Sequence, residues 1–487
     1  MTVENFKVKS VAIIGAGASG AVAVDVLKKE HAFEKIKVFE RREVVGGVWH
    51  LDSKYDEIKI SSGSNESVND VPLEIPKVQS GDKIIVPRSQ QQRFIYTPAY
   101  EDIRTNVPEH FMTFSDIPRW PDPQKPAEEP FTTRRFVEKY INEYFERNRD
   151  NLTLRTTLER VDKDYSKANQ PFILTLRQET DLKDSSGELY DVWWKESFDA
   201  LVLATGHYHV PYIPYVEGLN EVQEKFPTRI DYAKQFRNQD KYHGKRVLVI
   251  GGSASGIDIS YVLSHHSNEV YRSEKFKEPK LKIGTLLIDK KTRLKPTVTK
   301  YILTDQGFNI EFEDGSVLEN PDFVIYGTGY DYSYPFLRHL WPSFSEKGVR
   351  LPESFQHTFH IPDPFISTLG VPIGALSFRA FEYQSILISR FLSGKIELPS
   401  IDEQYEWVKN REETVGISRA YHRLGSEFEV AEYLDDLTKL GGGVSKLGDH
   451  GREFPIITKK QIEEWKLRKS ELVEKWEKDE DVRLAWG

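Results

Sequence analysis

Val11-Ala12-Ile13-Ile14-Gly15-Ala16-Gly17-Ala18-Ser19-Gly20 decides the fold. Four apolar residues read as a buried strand, the glycines as a tight turn, and the residues after them as the first turns of a helix. That context turns a glycine pattern into a dinucleotide-binding fingerprint: the backbone can approach a pyrophosphate, whose charge rests on the helix N-terminus. The next strand, Ile36-Lys37-Val38-Phe39, ends on Glu40, twenty positions past Gly20, where a carboxylate can accept both ribose hydroxyls of an adenosine. Gly46-Gly47-Val48-Trp49 then allows close backbone approach to a bulky cofactor.

A second fingerprint lies near the middle of the chain. Val247-Leu248-Val249-Ile250 leads into Gly251-Gly252-Ser253-Ala254-Ser255-Gly256, with Ser253 where the middle glycine is expected. The pyrophosphate there must tolerate a side chain or use its hydroxyl. After the following strand, Glu269-Val270-Tyr271, stand Arg272 and Ser273, residue types that suit the 2′-phosphate of NADPH. Two nucleotides on one polypeptide imply electron transfer between them.

The fold class that follows is α/β, with two Rossmann-like dinucleotide-binding domains, the second inserted into the first. Phe198 to Leu203 reads as one short buried strand ending at Ala204-Thr205-Gly206, and Phe323 to Tyr326 as another ending at Gly327-Thr328-Gly329. The second fingerprint lies between those ends. Residues 1–206 and 331–487 are therefore expected to form a discontinuous first domain with a C-terminal helical cap, and residues 207–330 the inserted one. Thr132 to Arg147 has apolar residues at helical spacing. Residues 52–100 read as a long irregular excursion that could cross the nucleotide site, and Glu313 to Ser316 as a hairpin turn. From Ile401 the chain turns charged and helical in pattern, and Ile462 to Trp476 predicts a final amphipathic helix. This tail reads as a cap or a subunit contact, as in a homodimer, the plainer expectation being a solvated appendage with no part in the chemistry.

A chain of 487 residues with 38% hydrophobic and 12% aromatic residues has ample material for a large core. The net charge of −9 and the lack of any basic stretch disfavour nucleic acid or an anionic membrane as a partner. No run approaches the ~20 apolar residues that span a bilayer, so no membrane anchor is expected, and the cytoplasm is the default compartment. Cysteine is absent, which excludes disulfides, thiolate metal sites and a redox dithiol. The histidines lack the partners that a metal site requires, so none is expected.

These residues, together with Tyr100 to Pro108, Phe114-Ser115-Asp116, Ala204 to Tyr208, Tyr326 to Tyr330 and Ile361 to Pro364, resemble the flavin-containing monooxygenases, particularly the soluble fungal type. The resemblance spans most of residues 8 to 425. It implies FAD on the first fingerprint and NADPH on the second, with dioxygen adding to reduced flavin to make a hydroperoxide that oxygenates a soft nitrogen or sulfur of a small molecule. It also implies Asn106 as the active-site residue, Thr105 beside the flavin, Tyr208 flanking the nicotinamide and Gln384 near the flavin ring. The cofactor set is thus assigned to Gly15, Gly17, Ala18, Ser19, Gly20, Glu40, Gly47, Val48, Trp49, Thr105, Asn106, Tyr208, Ser253, Ala254, Ser255, Gly256, Arg272, Ser273 and Gln384. One stretch departs from the pattern: in Phe226 to Phe236, Thr228 replaces the family's glycine and Tyr232 its histidine. A disulfide reductase is excluded by the missing cysteines. A Baeyer–Villiger monooxygenase, whose fingerprint ends in Trp where this chain has Phe236, and a non-catalytic nucleotide sensor remain as alternatives.

Overall fold

The strand Ser10–Ile14 is fully buried in the interior of a seven-stranded sheet, parallel to Lys35–Phe39 on one side and to Ala200–Leu203 on the other. Both faces of such a strand are covered, so its sequence is a continuous apolar run and not an alternation. Leu152–Thr153 extends the sheet in parallel beyond Lys35–Phe39, and Ile366–Thr368 beyond Ala200–Leu203. The computed structural model describes residues 7–63, 70–91, 93–121, 131–275, 291–345, 349–374, 376–418, 420–424, 427–465, 467 and 471.

Two helices cover one face of this sheet. Ala18–Glu30 follows the first glycine turn and packs on Ser377–Leu392 through its small residues, with Ala21, Val22 and Val24 completely buried. Arg134–Glu146 lies alongside and buries Val137, Tyr140, Ile141, Tyr144 and Phe145, the face that the helical spacing predicts. A four-stranded antiparallel sheet, ordered Lys83–Pro87, Leu189–Phe198, Phe172–Lys183, Thr156–Lys163, covers part of the other side.

The expected strand Phe198 to Leu203 is two strands in two sheets. Asp199 ends one and starts the other, because its carboxylate accepts from Ser10 N (2.8 Å), Ser10 Oγ (2.7 Å) and Lys9 N (3.0 Å) and so ties the corner to the central strand. Lys83–Pro87 is a strand that the polar excursion 52–100 conceals. Its exposed residues alternate with half-buried Ile84 and Val86, which pack on Trp193.

The second sheet repeats the first. Arg246–Ile250 runs parallel to Glu269–Ser273 and to Phe323–Tyr326, with Ile230–Tyr232 and Arg293–Lys295 outside them. Helix Ala254–Ser264 follows its glycine turn. The chain enters this region beside Val210–Pro211 and leaves beside Tyr330–Asp331, and these two segments pair antiparallel. The hairpin closes at Glu313 to Ser316 between Phe308–Phe312 and Val317–Leu318.

The tail is a cap from 441 to 454 and not a solvated appendage. Buried Arg390 donates to the carbonyls of Gly441 (2.6 Å), Gly443 (2.8 Å) and Ser445 (2.7 Å). Arg452 reaches Glu382 (2.6 Å), Asp116 (2.7 Å) and Asp25 (3.3 Å), joining the tail to both central helices. Further on, Ile462 and Trp465 pack with Phe111 and Phe131. Most of the expected helix beyond Trp465, like the last residues of the chain, lies outside the described residues.

Candidate active site

A parallel sheet opens a crevice at the carboxyl ends of its strands, where adjacent connections leave in opposite directions. Here a cavity lies there, walled by the first glycine turn, the strand end Ala204-Thr205-Gly206 and Gly47-Val48-Trp49. The turns interlock: Gly46 N donates to Ala16 O (2.9 Å), and a Cβ on Gly47 would stand 2.8 Å from Gly17 Cα, so the two loops approach glycine to glycine. His50 Nδ1 sits 2.6 Å from Glu138, and Arg134 donates to Trp49 O (3.3 Å), which fixes the second loop on the helix Arg134–Glu146.

The residues present fit a dinucleotide flavin. Helix Ala18–Glu30 begins at Gly17 with no side-chain cap, and Ala18 and Ser19 face the cavity, leaving first-turn amides to meet a pyrophosphate. Glu40 is held by Ala16 N (2.8 Å) and Arg42 N (3.0 Å), with both oxygens still able to accept. Gly20 does not reach the cavity. It packs on the carbonyl of Gly15, where any side chain would collide, and so lets helix and strand close together.

The cavity is also lined by the apolar side chains of Phe336, Leu369, Ile373, Phe378 and Phe381, a wall suited to a flat ring system. Several cavity groups went unread in the sequence: Arg41, Arg42, Asp70, Arg93, His209 and Ser333. Arg41 and Arg42 follow Glu40 directly, and that adjacency was a usable signal. Asp70 and Arg93 come from the irregular excursion and Ser333 from a distant segment. Ser333 Oγ donates to Asp70 (2.5 Å). Burial, then the Arg41 charge, lower the His209 pKa to about 3, so that ring is neutral. Burial also lowers the pKa of Arg41.

The structure brings together Gly15, Gly17, Ala18, Ser19, Glu40, Gly47, Val48, Trp49 and Tyr208, the last 40% exposed. It leaves others outside the cavity. Thr105 is buried, its hydroxyl accepting from Thr132 N (3.0 Å) and its amide donating to Thr132 O (3.0 Å). Asn106 follows and is half-buried; its neighbour Val107 packs in the same apolar cluster as Leu376, which precedes the cavity residue Ser377. Gln384 supports a residue that lines the cavity. It is fully buried, its oxygen accepts from Gly370 N (3.1 Å), and its amide donates to Thr358 (2.9 Å) and Tyr433 (3.1 Å), so it braces the Gly370 turn and does not face the cavity.

The second turn is more open. Ser253 and Ala254 are exposed, Ser255 is half-buried and Gly256 packs on Gly251. Arg272 lies at the strand end, its Nη1 3.0 Å from Ser260 Oγ and its Nε 3.2 Å from Glu274. Ser273 is buried and donates to Pro296 O (2.7 Å), so its hydroxyl proton is committed within the protein. Tyr232 is completely buried and donates to the carbonyl of Gly329, holding the second strand-end turn, while Thr228 lies on an exposed turn where a side chain costs nothing.

Two glycine turns, each at the carboxyl end of a parallel strand in its own sheet, define a two-dinucleotide flavoprotein oxidoreductase. The chain belongs to the flavin-binding monooxygenase-like family, whose model matches residues 93–278 and 282–447. An NAD(P)-binding Rossmann-like model matches residues 13–65, and a pyridine nucleotide-disulphide oxidoreductase model residues 195–362. Curated relatives include the flavin-containing monooxygenases ustF2 of Aspergillus flavus (25% identical, covering 88% of this chain and 90% of the relative) and iboF of Amanita muscaria (26%, 90% and 90%). Among solved structures, S-allyl-L-cysteine S-oxygenase of Allium sativum superposes with a TM-score of 0.69 at 23% identity over 98% of this chain and 97% of that one. Cyclohexanone monooxygenase gives 0.53 at 13% identity, over 90% and 98%. The protein is an FAD- and NADPH-dependent monooxygenase using O2 and a small-molecule substrate. Among the described residues no helix is long and apolar enough to cross a membrane.

Proposed function

We propose that this enzyme transfers one oxygen atom from dioxygen to a soft nitrogen or sulfur atom of a small molecule. The observation that carries the reading is the cavity itself: interlocked glycines suited to a pyrophosphate and a set of apolar aromatic side chains line one cavity, and among the cavity-lining residues there is no cysteine. Bound FAD, reduced by NADPH, supplies the activation of dioxygen and the two electrons that send its second oxygen to water. The chain's own part is to bind, orient and exclude water. Gly15 to Ser19 and Glu40 hold the adenosine and pyrophosphate, Trp49 and Phe378 flank the ring, and Tyr208 stands at the mouth, where the nicotinamide must enter.

The division into 1–206 with 331–487 for FAD and 207–330 for NADPH is part of the same proposal. It is supported by the antiparallel pairing of Val210–Pro211 with Tyr330–Asp331 at the crossing point. A sulfur target is in keeping with the likeness to the S-oxygenase, whose TM-score exceeds that of cyclohexanone monooxygenase. The purified yellow protein should consume NADPH faster with a thioether or tertiary amine and yield the sulfoxide or N-oxide. Lactone from a cyclic ketone, with neither of those products, would overturn the proposal.

Asn106 is proposed, from the family resemblance, to donate its amide to oxygen at the ring. Asn106→Ala should reduce flavin at the normal rate yet release most of the consumed oxygen as hydrogen peroxide. Unchanged product yield per NADPH would remove it from the reaction.

A further inference from the structure

We infer that Glu274 is a specificity residue of the second nucleotide site and opens it to NADH as well as NADPH. The inference rests on the reading of the second glycine turn as the nicotinamide nucleotide site.

The two halves can be aligned strand by strand. In the first sheet Ile14, the last residue before the glycines, is in register with Phe39, and Glu40 comes next. In the second, Ile250 is in register with Ser273, and the next residue is Glu274. Glu274 therefore occupies the position in which Glu40 meets the adenosine ribose. The side chains agree: Glu40 Oε2 accepts from Ala16 N, the residue after the first glycine, and the Glu274 side chain lies against Gly252, its counterpart, where an added Cβ would stand 2.6 Å from Glu274 Oε2. A carboxylate there accepts ribose hydroxyls and repels a 2′-phosphate.

The groups that would welcome a 2′-phosphate are meanwhile engaged. Arg272 pairs with Glu274 at 3.2 Å, both side chains being about nine-tenths buried, and it also holds Ser260. Ser273 donates to Pro296 O. A 2′-phosphate must share Arg272 with a carboxylate already beside it, whereas a 2′-hydroxyl can donate to that carboxylate and leave the pair intact.

The test is equilibrium binding of NADP+ and NAD+ to the FAD holoenzyme by calorimetry, with the wild type and Glu274→Gln compared. The wild type should bind the two within about tenfold of each other. Glu274→Gln should keep its flavin spectrum and tighten NADP+ at least about tenfold while weakening NAD+, because the amide no longer repels phosphate and accepts less well from ribose. A wild-type preference for NADP+ beyond about a hundredfold, or a Glu274→Gln variant with an unchanged ratio, would overturn the assignment of Glu274 while leaving the site in place. Binding of neither nucleotide would overturn the site reading and the inference together.

Discussion

The two glycine turns share a backbone plan and differ in nearly every side chain around it. In each, the glycine after the strand packs on the neighbouring strand end, Gly15 on Ala204 and Gly251 on Gly327, and the last glycine of the motif packs on the first. Around the first, a second loop closes over the turn, Glu40 is buried, and aromatic side chains line the same cavity. Around the second, Ser253 and Ala254 face solvent. The same local geometry thus serves two tasks. One ligand is to be held permanently and shielded, and the other must arrive and leave, for which an open turn is appropriate.

The sharpest way to break this comparison is to block each turn in turn. Gly47→Val sets a side chain against Gly17, and the protein should purify without flavin colour, with FAD affinity reduced at least about 100-fold, ~2.8 kcal/mol. Gly251→Val, at a φ of +145° beneath the Gly327 carbonyl, should keep the yellow colour and lose NADP+ binding to the same extent. Visible absorbance and nucleotide titration separate the two results. Loss of flavin in both variants would show that the turns are not independent.

Arg272→Ala is the next in size. It leaves Glu274 unopposed beside the 2′-phosphate, so NADP+ affinity should fall about 10- to 100-fold, ~1.4–2.8 kcal/mol, and NAD+ affinity less than about threefold. Equal losses for both nucleotides would mean that the arginine serves only the fold.

The smallest effect concerns the link between the two regions. Tyr100, from the excursion, donates its hydroxyl to Asp258 on the helix of the second turn (3.0 Å). Burial pushes the Asp258 carboxyl up to about 6, from an ordinary value of 3.8, against the pull of that hydrogen bond. A raised acid stabilises the folded state fully below its unfolded pKa and loses that contribution as pH rises through about 6. Asp258→Asn should therefore match the wild type near pH 3 and exceed it above pH 7. Half-burial of the residue limits the gain to about 1 kcal/mol. Denaturant unfolding across that range checks the sign.

What could be read from the chain follows from the range of each signal. Strand, turn and helix at Val11 to Gly20 and at Val247 to Gly256 are local, and apolar runs with glycines announce them. The face of Arg134–Glu146 was legible for the same reason. The partners of Gln384 were not legible, because its carboxamide meets Gly370, Thr358 and Tyr433, 14 to 49 positions away, which no spacing rule brings near. The bond that the Ser273 hydroxyl donates to Pro296 O was not legible either, because that carbonyl stands at a neighbouring strand end.

The sequence by itself determined that two nucleotide turns exist, where each begins, and that thiol chemistry has no place, because these depend on residue identity and on contacts within about thirty positions. Only the tertiary structure decided which polar groups remain to meet a ligand. Whether Arg272 is available depends on Glu274, whether the tail covers the core depends on Arg452, and whether Asp70 lines the cavity depends on Ser333. A side chain's hydrogen-bonding capacity is finite, and the partners that consume it are set by packing between distant segments.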